Sequence, residues 1–110
     1  MTVGEREIEA CLIRHAEKAG GKAYKFTSPG CAGVPDRLVA LPGGIVFFVE
    51  LKAPGEKPRP LQEKRGKEIT ELGVPVFWID SKEEAEDIIR HAMEGREMDI
   101  GWRKWRQESQ

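Results

Sequence analysis

Cysteine is scarce in this chain, with only Cys11 and Cys31 among 110 residues. Two thiols are too few for a disulfide scaffold or a Cys-rich zinc site, and both are read as free in a reducing compartment. Long apolar runs are also missing. No segment approaches the roughly 20 residues a helical membrane span needs. The opening MTVGEREIEA is charged from Glu5 onward, so no signal peptide is expected and the cytoplasm is the expected location. A charge excess of either sign is absent as well, the net charge being −1. The whole-molecule field therefore does not announce a nucleic-acid binder. Repeats and low-complexity linkers are not found, and the length suits one domain with a single modest core.

What is present is a strong periodic pattern. Ile8, Cys11, Leu12, His15, Ala16 and Ala19 recur at helical spacing. They predict a helix over about 4–18, closed by Gly20-Gly21. A short strand is expected at 22–27, then a loop dense in Gly and Pro from Ser28 to Pro35. Two strands, 36–41 and 45–53, are joined by Pro42-Gly43-Gly44, a hairpin signal. The second is apolar on both faces and is read as a central strand covered on both sides. A proline-rich exposed loop over 53–60 precedes a helix at about 60–72, stopped by Gly73 and Pro75. A strand at 74–79 follows, and Ser81 with Glu84 forms a capping box for a helix to about 94. The order is α-β-β-β-α-β-α, an α/β domain of residues 1–94. Residues 95–110 form a polar tail. Trp102 and Trp105, three apart, are read as packing a terminal helix onto the domain or a partner subunit, in preference to Trp102-Arg-Lys-Trp105-Arg106 gripping nucleic acid.

Glu50 and Lys52 end the most apolar strand of the chain. Alternation puts them on one face, about 6–7 Å apart at Cα. Two charges beside Phe48 cost several kcal/mol unless they pair or bind something. A structural ion pair is the bland reading, and Asp36 argues against it. Folding the hairpin sets Asp36 opposite Glu50 if the loop has three residues, or opposite Leu51 if it has two. Two carboxylates so close repel each other, and a hard divalent cation relieves the repulsion, with a backbone carbonyl near Leu51 as a further oxygen donor. On the first helix Glu5 shares the sheet-facing stripe with Ile8 and Leu12, while Glu9 sits at its edge. Glu5 is thus the helix acid expected to approach a metal, through a water if not directly. Gln62 on the second long helix looks back at the sheet. Lys64 and Lys67 project elsewhere and are candidate phosphate contacts. With Lys52, Lys57, Arg59 and Arg65 they make six basic residues between positions 52 and 67.

At these residues the chain resembles a known family. Gly33-Val-Pro-Asp-Arg37, Val49-Glu-Leu-Lys-Ala53 and Pro58-Arg-Pro-Leu-Gln62 are similar to the motifs of the virus-type replication–repair nuclease (VRR-NUC) domain. That domain belongs to the PD-(D/E)xK, restriction-endonuclease-like superfamily, whose αβββαβ core matches the order above, here with a C-terminal helix added. The likeness covers roughly residues 5–89. It implies Mg²⁺- or Mn²⁺-dependent cleavage of DNA, often branched DNA such as four-way (Holliday) junctions or flaps. It also implies Asp36 and Glu50 as metal ligands, Glu5 as the acid of the first helix, Lys52 as the catalytic lysine, and Gln62 as the helix glutamine. Arg37, Lys57, Arg59, Lys64 and Lys67 are the expected nucleic-acid contacts. A homodimer is expected, because a symmetric junction invites two active sites. No small-molecule cofactor and no membrane partner is expected. So compact a chain fits a stand-alone enzyme of a phage or mobile element, acting in a bacterial or phage-infected cell.

Competing readings are a non-catalytic branched-DNA-binding module and an RNA or single-strand nuclease using the same metal site. Ser28 and Cys31 lack a recognisable base partner, which disfavours a nucleophilic hydrolase.

Overall fold

The structure is a computed structural model and describes residues 1–95, 97, 98 and 100–105. Thr2 opens α1 (Val3–Lys18) by accepting a hydrogen bond from the Glu5 backbone N–H at 3.1 Å, satisfying one of the donors a helix start leaves unpaired. The helix ends at Ala19, where Gly20 takes a φ of +92°. Next come β1 (Lys22–Lys25), β2 (Arg37–Leu41), β3 (Ile45–Leu51), α2 (Pro60–Glu71), β4 (Val76–Ile79), α3 (Lys82–Met93) and β5 (Arg103–Lys104).

The strands form one sheet in the order β1-β2-β3-β4-β5. β1, β2 and β3 run as antiparallel neighbours, and β3-β4 and β4-β5 are parallel. The parallel β3-β4 pair requires a crossover, which α2 supplies. Alternation then sorts the side chains. Val39, Leu41, Phe47, Val49, Leu51, Phe77 and Ile79 join Ile8, Leu12 and Ala16 of α1 and Ala85, Ile88 and Ala92 of α3 in a single core. The opposite face carries Val46, Phe48 and Glu50 of β3. There the expectation of cover on both faces holds only in part, since Val46 is 45% exposed and α2 reaches only part of that side.

The hairpin closes on the pair Leu41↔Ile45, so its loop has three residues, with Gly43 and Gly44 at φ +93° and +77°. The β2-β3 register runs through Arg37↔Val49. One residue further it sets Asp36 across from Glu50.

The tail differs from its expected helix. Its described part pairs with β4 through Phe77↔Arg103 and Trp78↔Lys104, and the Trp105 N–H donates to the Trp78 carbonyl at 3.0 Å. The physical reason is the open edge of β4, whose unpaired backbone groups need a partner. A three-residue spacing puts two side chains on one face of a helix but on opposite faces of an extended chain. Trp105 accordingly enters the core, 5% exposed and edge-on to Phe77, while Trp102 lies over Gly66 of α2. Of the Trp-containing motif, Arg106 lies outside the described residues. Among the described residues no helix is long and apolar enough to cross a membrane.

Candidate active site

The end of β3, the start of β2, the start of α1 and the start of α2 meet at one end of the sheet. They enclose an open cleft of about 430 Å³ lined by Met1, Thr2, Glu5, Asp36, Glu50, Leu51, Lys52, Glu56, Arg59 and Gln62. Five residues read from the sequence as metal-binding or catalytic (Glu5, Asp36, Glu50, Lys52 and Gln62) thus share a single cleft, with Leu51 beside them.

Each is held by local structure. Asp36 follows the buried Pro35, and its Oδ2 accepts the Leu51 backbone N–H at 2.9 Å. That bond joins the start of β2 to the end of β3 where the ladder runs out. Because N–H and C=O of a strand residue point to the same side, the Leu51 carbonyl is also directed toward the Asp36 side of β3. Glu50 is 2% exposed, and its Oε1 has no hydrogen-bond partner among the described residues. Lys52 is 7% exposed, and its Nζ donates to Gln62 Oε1 at 3.3 Å. The same oxygen accepts the Arg59 backbone N–H at 2.8 Å. Gln62 therefore caps α2 and fixes the lysine with one atom. The cap was legible as a Gln three residues into a helix, although the sequence reading assigned Gln62 only to chemistry.

The electrostatics follow from this crowding. Burial, then the charge of Asp36, pushes the Glu50 carboxyl up to about 8, with Lys52 opposing. Burial also raises Asp36, against the pull of the Leu51 N–H and of Lys52. Glu5 is raised as well, first by desolvation and then by Asp36. Glu50 and Glu5 thus each resist ionising in part because of the Asp36 charge, while Asp36 is raised chiefly by its own burial, a pattern that a cation bound among these carboxylates would relieve. Their spacing is looser than a three-carboxylate cage, for among the described residues no three His, Cys, Asp or Glu side chains converge as ligands.

The expected nucleic-acid contacts divide. Arg59 lines the cleft, and Lys57, Lys64 and Lys67 are exposed without lining it. Arg37 is not brought to the cleft. Its guanidinium bridges Glu9 at 2.8 Å and donates to the Ala23 carbonyl at 3.0 Å, because the odd-numbered β2 residues face α1. Arg65 is likewise engaged, by the Ala32 carbonyl and Glu68, and ties α2 to the loop that delivers Asp36. Glu56, which the sequence reading passed over as a loop residue, also faces the cleft.

No family model matches the chain. The chain is 52% identical over 81 residues to the protein named "Putative nuclease p44" of Acyrthosiphon pisum secondary endosymbiont phage 1, an alignment covering 74% of this chain and 87% of that one. A solved structure described as a VRR-NUC domain superposes with a TM-score of 0.75 at 31% identity, over 82% of this chain and 98% of the other. Sequence likeness to a phage nuclease, a shared fold at appreciable identity, and a cleft holding the motif residues agree, and the chain belongs to the VRR-NUC family of nucleases.

Proposed function

We propose that this nuclease is a divalent-metal-dependent endonuclease that hydrolyses phosphodiester bonds in DNA, selecting branched forms such as four-way junctions and flaps. The observation that carries the reading is Glu50, a buried carboxyl with an orphaned oxygen, set across from Asp36 and followed two residues on by Lys52. A hard oxygen set of this kind suits Mg²⁺ or Mn²⁺. Asp36, Glu50 and the Leu51 carbonyl would hold the ion directly, with Glu5 reaching it through a water. Bound there, the ion supplies Lewis-acid polarisation of a phosphoryl oxygen and a lowered pKa for water.

The chain's own groups do the rest. Glu50, raised to about 8 by burial and the Asp36 charge, would be held in its ionised form by a bound cation. Lys52 offsets charge gathering on the phosphoryl oxygens in the transition state, in a site where desolvation strengthens the effect. Gln62 keeps the Lys52 ammonium on its line by accepting from Nζ. Arg59 and Lys57, on the loop after β3, take the phosphates beside the scissile bond, and Lys64 and Lys67 extend the track along α2. Arg37 has no place in it, being engaged with Glu9. A homodimer would present two such clefts to a two-fold branched substrate. The setting proposed is the cytoplasm of a bacterial or phage-infected cell, in keeping with the phage relative.

The test is cleavage of a labelled panel, comprising four-way junction, flap, linear duplex, single-stranded DNA and RNA. Each is incubated with Mg²⁺, Mn²⁺ or EDTA, using wild type and Lys52→Ala. Metal-dependent cutting of junction or flap, lost in the variant, supports the proposal. Preferential cutting of single strands or RNA overturns its substrate part. Binding of the junction without cleavage of any substrate overturns its catalytic part and leaves a binding module.

A further inference from the structure

The helix that carries Gln62 is held to the domain in an unusual way. Of the twelve residues of α2, the only buried one is Gly66, so this helix brings no large apolar side chain of its own into the core. What covers it is Trp102. A Cβ placed on Gly66 would lie 2.1 Å from Cε3 of that ring and 2.4 Å from Cζ3. The indole is therefore seated flush on helix backbone, in space that only a glycine leaves free.

Trp102 is itself anchored on the other side. It precedes β5, which pairs with β4 and continues into the buried Trp105, whose indole N–H donates to Asp87 at 2.9 Å. Between the two tryptophans Lys104 bridges Asp80 at 2.9 Å and also meets Glu84. Asp80 in turn accepts the Gly55 N–H at 3.1 Å, in the loop that carries Glu56 and Arg59. Two walls of the cleft, α2 and the loop after β3, are thus tied to the sheet through one C-terminal segment. Gln62 lies one helical turn before Gly66, on the same face.

We propose that the segment 100–105 is a strap that positions the catalytic lysine, with Trp102 as its positioning residue acting through Gly66 and Gln62. The proposal rests on the Lys52–Gln62 reading given above. Trp102 touches no reacting atom. It sets how closely α2 sits against the end of β3, and hence whether Gln62 Oε1 meets Lys52 Nζ.

The experiment uses the full chain as wild type, Trp102→Ala, Trp102→Phe, Gly66→Ala, Gln62→Ala and the Trp102→Ala/Gln62→Ala double variant. In metal-free protein, hydrogen exchange of the α2 amides is expected to quicken by about tenfold in Trp102→Ala while α1 and α3 keep their protection. Gly66→Ala should do the same even though alanine favours helix in isolation, and Trp102→Phe should restore most of the protection. On whichever DNA of the panel wild type cuts, at saturating Mg²⁺, kcat should fall about tenfold with KM changed less than about twofold. The double variant should be no slower than Gln62→Ala alone. Unchanged α2 exchange in Trp102→Ala, a uniform loss of protection across all helices, or full additivity with Gln62→Ala overturns the strap. Wild-type cleavage by Gln62→Ala instead overturns the role given to Gln62, and the exchange data still decide whether Trp102 holds α2.

Discussion

Glu50→Gln tests the electrostatics of the cleft without changing its shape. In the folded protein the Glu50 carboxyl is raised from 4.5 to about 8, so the native state holds this proton more tightly than the unfolded chain does. The sign follows from linkage. At and below about pH 4.5 the group is protonated in both states and costs nothing. As pH climbs toward 8 the unfolded chain ionises while the folded one resists, and stability erodes. Above about 8 the loss levels off. A displacement of that size corresponds to a ceiling of about 5 kcal/mol at ~1.36 kcal/mol per pH unit. Asp36, also raised, adds in the same direction. The neutral amide carries no such cost. Thermal unfolding followed by circular dichroism in EDTA, from pH 4.5 to 9, should therefore show the two proteins alike at the acid end. At pH 9 the variant should melt higher by about 10 °C or more, each kcal/mol being worth roughly 4–8 °C in a domain near this size. Added Mg²⁺ should raise the wild type at pH 9 and leave the variant where it was. Parallel melting curves over the whole range would refute the reasoning, since they would mean that Glu50 is no more desolvated in the folded protein than in the unfolded chain.

Three further outcomes follow from other contacts. Lys52→Ala should lower kcat by about 10²–10³-fold, the scale of losing one preorganised charge or donor at a developing oxyanion, with the circular dichroism spectrum retained. Gly33→Ala should destabilise by about 1–2 kcal/mol from its positive φ alone and cut activity, because a Cβ there would meet Leu61 Cγ at 2.8 Å and push α2 from the loop that delivers Asp36; urea titration and cleavage assays read the two effects. Trp105→Ala removes a buried aromatic and its bond to Asp87, and should cost about 3–5 kcal/mol by urea titration.

Much of the site was legible because its chemistry violates its surroundings. Glu50 and Lys52 interrupt a run of Ile, Val and Phe, and a Pro-Gly-Gly turn at a countable distance implies that Asp36 folds back beside them. The helical stripe of α1 likewise picks out Glu5 and leaves Glu9 at its edge. What the sequence hid was commitment. Arg37 stands in the motif and reads as a phosphate contact, yet strand alternation turns it to the α1 face, where Glu9 takes it. The two-residue strand β5 was hidden for another reason: too short for a period, it exists because β4 offers an open edge.

Local patterning alone determined the order of the elements as far as α3, the hairpin and the pair Glu50–Lys52 on one strand face, because those depend on spacings of two, three and four residues. Only the tertiary structure decided which charges are spent on the fold, how deeply Glu50 is desolvated, and that Trp102 and Trp105 face opposite ways to clasp α2 and the core. Those outcomes depend on which surfaces meet across long stretches of chain. Burial and partner choice belong to the packed whole and are written in no short segment.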